Sequence, residues 1–127
     1  MEVQKDFGDL FTLLNEHKVD FIIIGAAALN VYGVPRYDIL VRPDGDNARG
    51  VMAALEEFGF DAPDLTPADF SVPGKTVSLG EPPVRVKITT SHTGMSWEEA
   101  SAATVEGDYQ GIKVFYLRGN QLRFHRL

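Results

Sequence analysis

The stretch "DFIIIG", residues 20–25, constrains the fold more than any other part of the chain. A short β-branched run that ends in glycine is the signature of a buried strand. A buried strand needs partners and cover, and the flanking sequence supplies both. Upstream, Val3, Phe7, Leu10, Phe11 and Leu14 recur at helical spacing, so residues 3–17 read as an amphipathic helix. Downstream, "AAALNVY" (26–32) reads as a short helix closed by Gly33 and stopped by Pro35, and "YDILVR" (37–42) as a second strand. Asp44 or Asp46 can cap the next helix, whose inner face is Val51, Met52, Leu55 and Phe58, with Gly59 as its stop.

The second half continues the alternation. Residues 61–74 are turn-rich, with one helical turn starting at Thr66. "TVSLG" (76–80) and "VRVKITTS" (84–91) form a strand pair around "EPP". Ser96 and Glu99 make a capping box for a helix over 96–104, and 104–117 reads as a hairpin around "DYQG". The order α-β-α-β-α-β-β-α-β-β predicts an α/β (α+β) fold, a mixed sheet flanked by helices. With 127 residues and no repeat or linker, residues 1–127 are expected to form a single domain.

Charge and cysteine usage narrow the function. A net charge of −6 argues against a broad nucleic-acid surface, because neutralising phosphates takes clustered Lys and Arg. A local basic tail, Arg118, Arg123, His125 and Arg126, is either a solvated end or a contact surface for RNA or an acidic partner. The absence of cysteine excludes disulfides, thiolate metal sites and Cys nucleophiles, and fits a cytoplasmic protein. The acidic amphipathic start does not resemble a signal peptide, and no apolar run reaches the roughly 20 residues needed to span a bilayer. His17, His92 and His125 show no ligand spacing. Glu98 and Glu99 read as helix-start charges.

"FIIIGAAALNVYGVPRYDILVRPDGDNARGVMAALEEFGF", then "LTPADF", "VSLGEPPVRVKITTS" and "MSWEEA", resemble in order the minimal nucleotidyltransferase superfamily, in particular bacterial domains related to abortive-infection toxins. The resemblance covers most of residues 10–116. It implies a nucleotidyltransferase-like fold. In that family a Gly-Gly or Gly-Ser pair ends the first strand and brings the following helix's amides to a triphosphate. An Asp-x-Asp pair on the second strand and a third Asp on a later strand hold metal ions, and such ions about 3.5–4 Å apart stabilise the attacking and leaving oxygens. Residues one apart on a strand share a face, which is what makes Asp-x-Asp a clamp.

This chain departs from that pattern where the chemistry lies. Gly25 matches the first glycine, but Ala26 follows it. Between Arg36 and Asp38 only Tyr37 intervenes, so Asp38 matches either the second family Asp with the first deleted, or the first with Leu40 in place of the second. Arg85 and Val86 match the Arg-hydrophobic pair ahead of the third Asp, but the next residue is Lys87. Of three acids one remains, so the resemblance implies a domain that is catalytically inactive or impaired and acts by binding a nucleotide or a partner, with no cofactor. Gly25, Ala26, Arg36 and Lys87 are its candidate nucleotide-binding residues. Arg36 either packs on Tyr37 or holds a triphosphate; Lys87 is either a solvated strand residue or a cation standing in for a metal beside Asp38.

Two rival readings stand beside it. One is an active transferase moving an NMP from an NTP to an RNA, protein or small-molecule hydroxyl. It would need Asp38 as the catalytic carboxylate on Mg²⁺, with Asp44, Asp46 or Glu81 replacing the missing acids. The other is a structural domain that dimerises through an exposed sheet edge.

Overall fold

The Phe21–Ile24 run forms a strand, and it lies inside a six-stranded sheet. The computed structural model describes residues 6–29, 34–60, 63–81, 84–91 and 94–118. In chain order these form α1 (Phe7–Glu16), β1 (Phe21–Leu29), β2 (Val34–Val41), α2 (Gly45–Phe58), α3 (Ala68–Ser71), β3 (Thr76–Glu81), β4 (Val84–Thr89), α4 (Trp97–Ser101), β5 (Thr104–Tyr109) and β6 (Ile112–Leu117). The sheet order is β3-β4-β2-β1-β6-β5. β2 runs antiparallel to β1 and parallel to β4, and β1 runs parallel to β6, so the sheet is mixed and the fold is α+β.

Strand alternation splits the apolar residues between two faces. On the first face Phe21, Ile23, Ile39, Val41, Val86, Ile88 and Val114 pack with the buried sides of α1, α2 and α3. On the second, Ile22, Ile24, Leu40 and Leu117 pack under Ala100 of α4. The first cluster is much the larger. Among the described residues the short α4 leaves the β3-β4 side of the second face uncovered: Thr76 and Ser78 of β3 are exposed.

The helix ends follow the capping signals. Asp44, rather than Asp46, caps α2, and Gly59 ends it at φ 104°. Asp6 and Asp9 form a capping box at the start of α1, and Ser96 and Glu99 form the expected one on α4. Asn47 then ties α2 to the sheet. Its Oδ1 accepts from the Asp20 amide at 2.7 Å, and its Nδ2 donates to the carbonyls of Asp20 and Arg42 at 3.1 and 2.9 Å. Asn47 is buried, so Asn47→Ala strands those groups and should destabilise the protein by roughly 2–3 kcal/mol in urea denaturation. A loss below about 0.5 kcal/mol would mean that water takes over all three bonds.

One expected element is corrected. Residues 26–29 continue β1 instead of starting a helix, pairing Ala26 with Tyr37 through Leu29 with Val34; residues 30–33 lie outside the described residues. Gly25 sits mid-strand at a β-bulge, where the register shifts between Ile23 and Gly25. It is neither the end of a strand nor a tight strand-to-helix turn.

Under the first face, Phe7, Phe11, Tyr37 and Tyr109 meet ring to ring, with centroids 4.5–5.8 Å apart for the edge-on pairs. Burial, then the neighbouring Tyr109, pushes the Tyr37 hydroxyl from 10.0 up to about 12. Burial raises Tyr109 and Tyr116 as well. The fold therefore favours the neutral phenol. That contribution is complete below the unfolded value of 10.0 and is lost as pH rises through about 12. Stability should fall across this window, and Tyr37→Phe should flatten the fall in denaturation curves recorded against pH.

Candidate anion-binding site

The alternation that sends Tyr37 and Ile39 to the first face sends Arg36, Asp38 and Leu40 to the second. On β4 the same rule buries Val86 and Ile88 and turns Arg85 and Lys87 the other way. The parallel pairing of β2 with β4 sets Arg36 beside Arg85 and Asp38 beside Lys87. Neighbouring strands lie about 4.8 Å apart, so four charged side chains share one small patch. Ser78 of β3 flanks Lys87, and Gly25 of β1 flanks Asp38.

Three of those four charges are cations, in a chain whose net charge is −6. Asp38 compensates one of them: its Oδ1 accepts from Arg36 Nε at 3.2 Å, with both side chains partly buried. Lys87 makes no ion pair among the described residues. Arg85 is more unusual, because its Nε is buried and has no hydrogen-bond partner among the described residues. A buried donor left unsatisfied costs about 1–3 kcal/mol, and like charges on neighbouring strands repel. An anion at this patch would offset both penalties.

The sequence candidates divide clearly against this geometry. Asp38, Arg36 and Lys87 are brought together. Gly25 joins them only as an open neighbour: a Cβ there would lie 3.7 Å from Asp38 Oδ2, an ordinary contact. The backbone of Ala26 is strand, so no helix amides start there, and the cradle the resemblance implied for Gly25 and Ala26 is not formed. Asp44 and Asp46 stand at the start of α2, which packs on the opposite face; Asp44 caps that helix and pairs with Arg42 at 2.7 Å, and Asp46 pairs with Arg49. The side chain of Glu81 lies outside the described residues. Arg85, which in the sequence marks only the Arg-hydrophobic pair of the resemblance, joins the patch. The alternation of "VRVKI" places it on the face of Lys87.

These residues do not fit a divalent metal. The one carboxylate already accepts from Arg36, and the ammonium beside it would repel a cation. Among the described residues no group of three or more His, Cys, Asp or Glu is placed to hold a metal ion. His17 instead contacts Glu57 at 2.7 Å, and His92 and His125 lie outside the described residues. In the basic tail only Arg118 is described, its amide donating to the Ala103 carbonyl; Arg123, His125 and Arg126 lie outside. No described helix is long and apolar enough to cross a membrane. Comparison with protein-family models, curated proteins and solved structures finds no match.

Proposed function

We propose that the domain binds a phosphorylated small molecule, a nucleoside polyphosphate, on the open sheet face between β2 and β4, and does not transfer its nucleotidyl group by two-metal chemistry. The observation that carries this reading is the buried Nε of Arg85, without a hydrogen-bond partner among the described residues, inside a cluster with Arg36 and Lys87. A phosphate offers several strong acceptor oxygens, and arginine donors suit it by geometry as well as charge. Asp38 holds Arg36 in place and limits the patch to a net two positive charges, which matches a polyphosphate better than a neutral ligand. The likeness to the nucleotidyltransferases supports the same class of ligand: Lys87 stands where that family has a metal-binding acid, so its ammonium would supply in permanent form part of the charge a metal supplies there.

Calorimetric titration with ATP and with inorganic tripolyphosphate tests this, each in EDTA and in Mg²⁺. Binding in EDTA with Kd in the range of about 10–100 μM, roughly 5.5–7 kcal/mol, is expected. Mg²⁺ should not strengthen it, and added salt should weaken it. Binding that appears only with Mg²⁺, or pyrophosphate released from ATP, would restore the active-transferase reading.

A further inference from the structure

A cleft lies against Trp97 and Ser101 of α4, and none of the four charged residues of the Arg36-Lys87 patch lines it. Its volume is about 490 Å³, and it is bounded by the α1-β1 corner, α4, the start of β5 and strand β6. That volume is in the range of small-molecule sites. Its apolar walls include Trp97, Phe115 and Ile22, and its charged residues are Lys18, Lys113 and Asp20. Phe115 is 39% exposed, one of two large hydrophobic side chains so exposed among the described residues. Two aromatic groups on a concave wall favour a flat ligand.

The charges favour an anion. Asp20 is already matched by Arg42 at 2.8 Å. Lys113 lies 3.4 Å from Glu106 and 5.4 Å from the centre of the Phe115 ring, but both members of that ion pair are more than 60% exposed, so the pair is weak and the amine is free to turn. Lys18 has no ion pair among the described residues.

Lys18 also occupies a position that its own backbone disfavours. Two helices of this chain end in the same way. After α2, Phe60 donates to the Leu55 carbonyl and Gly59 to Glu56, with Gly59 at φ 104°. After α1, Val19 donates to Leu14 and Lys18 to Asn15, with Lys18 at φ 58°. This ending needs a left-handed residue, for which glycine is the unstrained choice. The chain uses glycine at the first and lysine at the second, where the side chain borders the cleft. The strain is local, and a role for the ammonium accounts for it.

We propose that this cleft binds a flat aromatic anion, its ring against Trp97 and Phe115 and its carboxylate or phosphate held by Lys18 and Lys113. The test uses the indole N–H resonance of Trp97, the sole tryptophan of the chain. Three probes are titrated: naphthalene-2-carboxylate, its neutral carboxamide, and adenosine 5′-monophosphate. The site predicts a saturable shift with at least one of the anions and at least tenfold weaker binding of the carboxamide. A response to the carboxylate alone, or to the monophosphate alone, identifies the anionic group; a response to both supports the class as stated. Lys18→Gly should weaken the effective probe at least fivefold while leaving Tm unchanged or raised, an outcome that separates a ligand-holding role from a structural one. The paired variant Arg36→Gln with Lys87→Gln should leave this titration unchanged, which keeps the cleft distinct from the polyphosphate site. Equal binding of acid and carboxamide, an unaffected Lys18→Gly protein, or no saturable shift with either anion overturns the proposal.

Discussion

Replacing Phe11 with alanine is expected to destabilise the protein by about 3–5 kcal/mol, the upper range for truncating a core side chain. The ring is fully buried and touches four others: Phe7, Phe21, Tyr37 and Tyr109, with centroids 6.2, 5.9, 5.7 and 5.1 Å away. Those neighbours come from α1, β1, β2 and β5, so one cavity would loosen the helix and its contact with three strands. Small domains are stable by roughly 5–15 kcal/mol, which makes this a large fraction of the whole. At about 3–5 °C per kcal/mol for a chain of this size, Tm should fall by roughly 10–20 °C. Urea denaturation followed by circular dichroism measures the change. A loss under about 1 kcal/mol would mean that α1 is not anchored on the sheet through this ring.

The second large effect concerns the site itself. Lys87→Asp should weaken triphosphate binding roughly a hundredfold, about 2.7 kcal/mol, because it removes a cation and places a like charge beside the ligand. Lys87→Met removes the cation alone and should cost about tenfold. Both variants should fold, since Lys87 is on the open face and is only partly buried. The aspartate variant also sets a second carboxylate beside Asp38 through the β2-β4 register, so it should acquire affinity for Mn²⁺ in calorimetry. If Lys87→Asp binds triphosphate as tightly as the parent protein, the anion does not sit at this patch.

Much of the fold is legible in the sequence because the relevant signals are local. The 3.6-residue spacing of Phe7, Leu10, Phe11 and Leu14 identifies α1, the Ser96-Glu99 box starts α4, and Gly59 stops α2. The β5-β6 turn is equally local: Gln110 and Gly111 have φ of 51° and 88°, and Asp108 accepts from the Gly111 amide. The run at 26–29 is where local reasoning fails. Alanine has the highest helix propensity, yet these residues are strand. β2 lies inside the sheet, and β4 pairs with only one of its edges. Were 26–29 helical, the other edge of β2 over residues 34–37 would lose its β1 partners, and buried backbone groups need partners. Tertiary pairing outweighs propensity.

The sites divide along the same line. Asp38, Arg36 and Lys87 are the candidates that the resemblance gives, and the β2-β4 register makes them neighbours. That Arg85 carries a buried donor without an acceptor among the described residues depends on how three strands register, which no single stretch encodes. The Trp97 cleft draws its lining from segments far apart in the chain, from Asn15 to Phe115, and no spacing rule connects them.

The most direct test of the central claim is the Nε–H resonance of Arg85 in an arginine-edited nitrogen-proton NMR spectrum, assigned with an Arg85→Lys variant and followed as ATP is added in EDTA. A phosphate acceptor should shift the signal downfield, with saturation at the same concentration as the calorimetric binding. The signals of Arg42 and Arg49, which are paired at the start of α2, should stay in place. An Arg85 signal that does not move while ATP binds elsewhere, or that moves only once Mg²⁺ is present, would contradict the assignment of this sheet face as a metal-independent polyphosphate site.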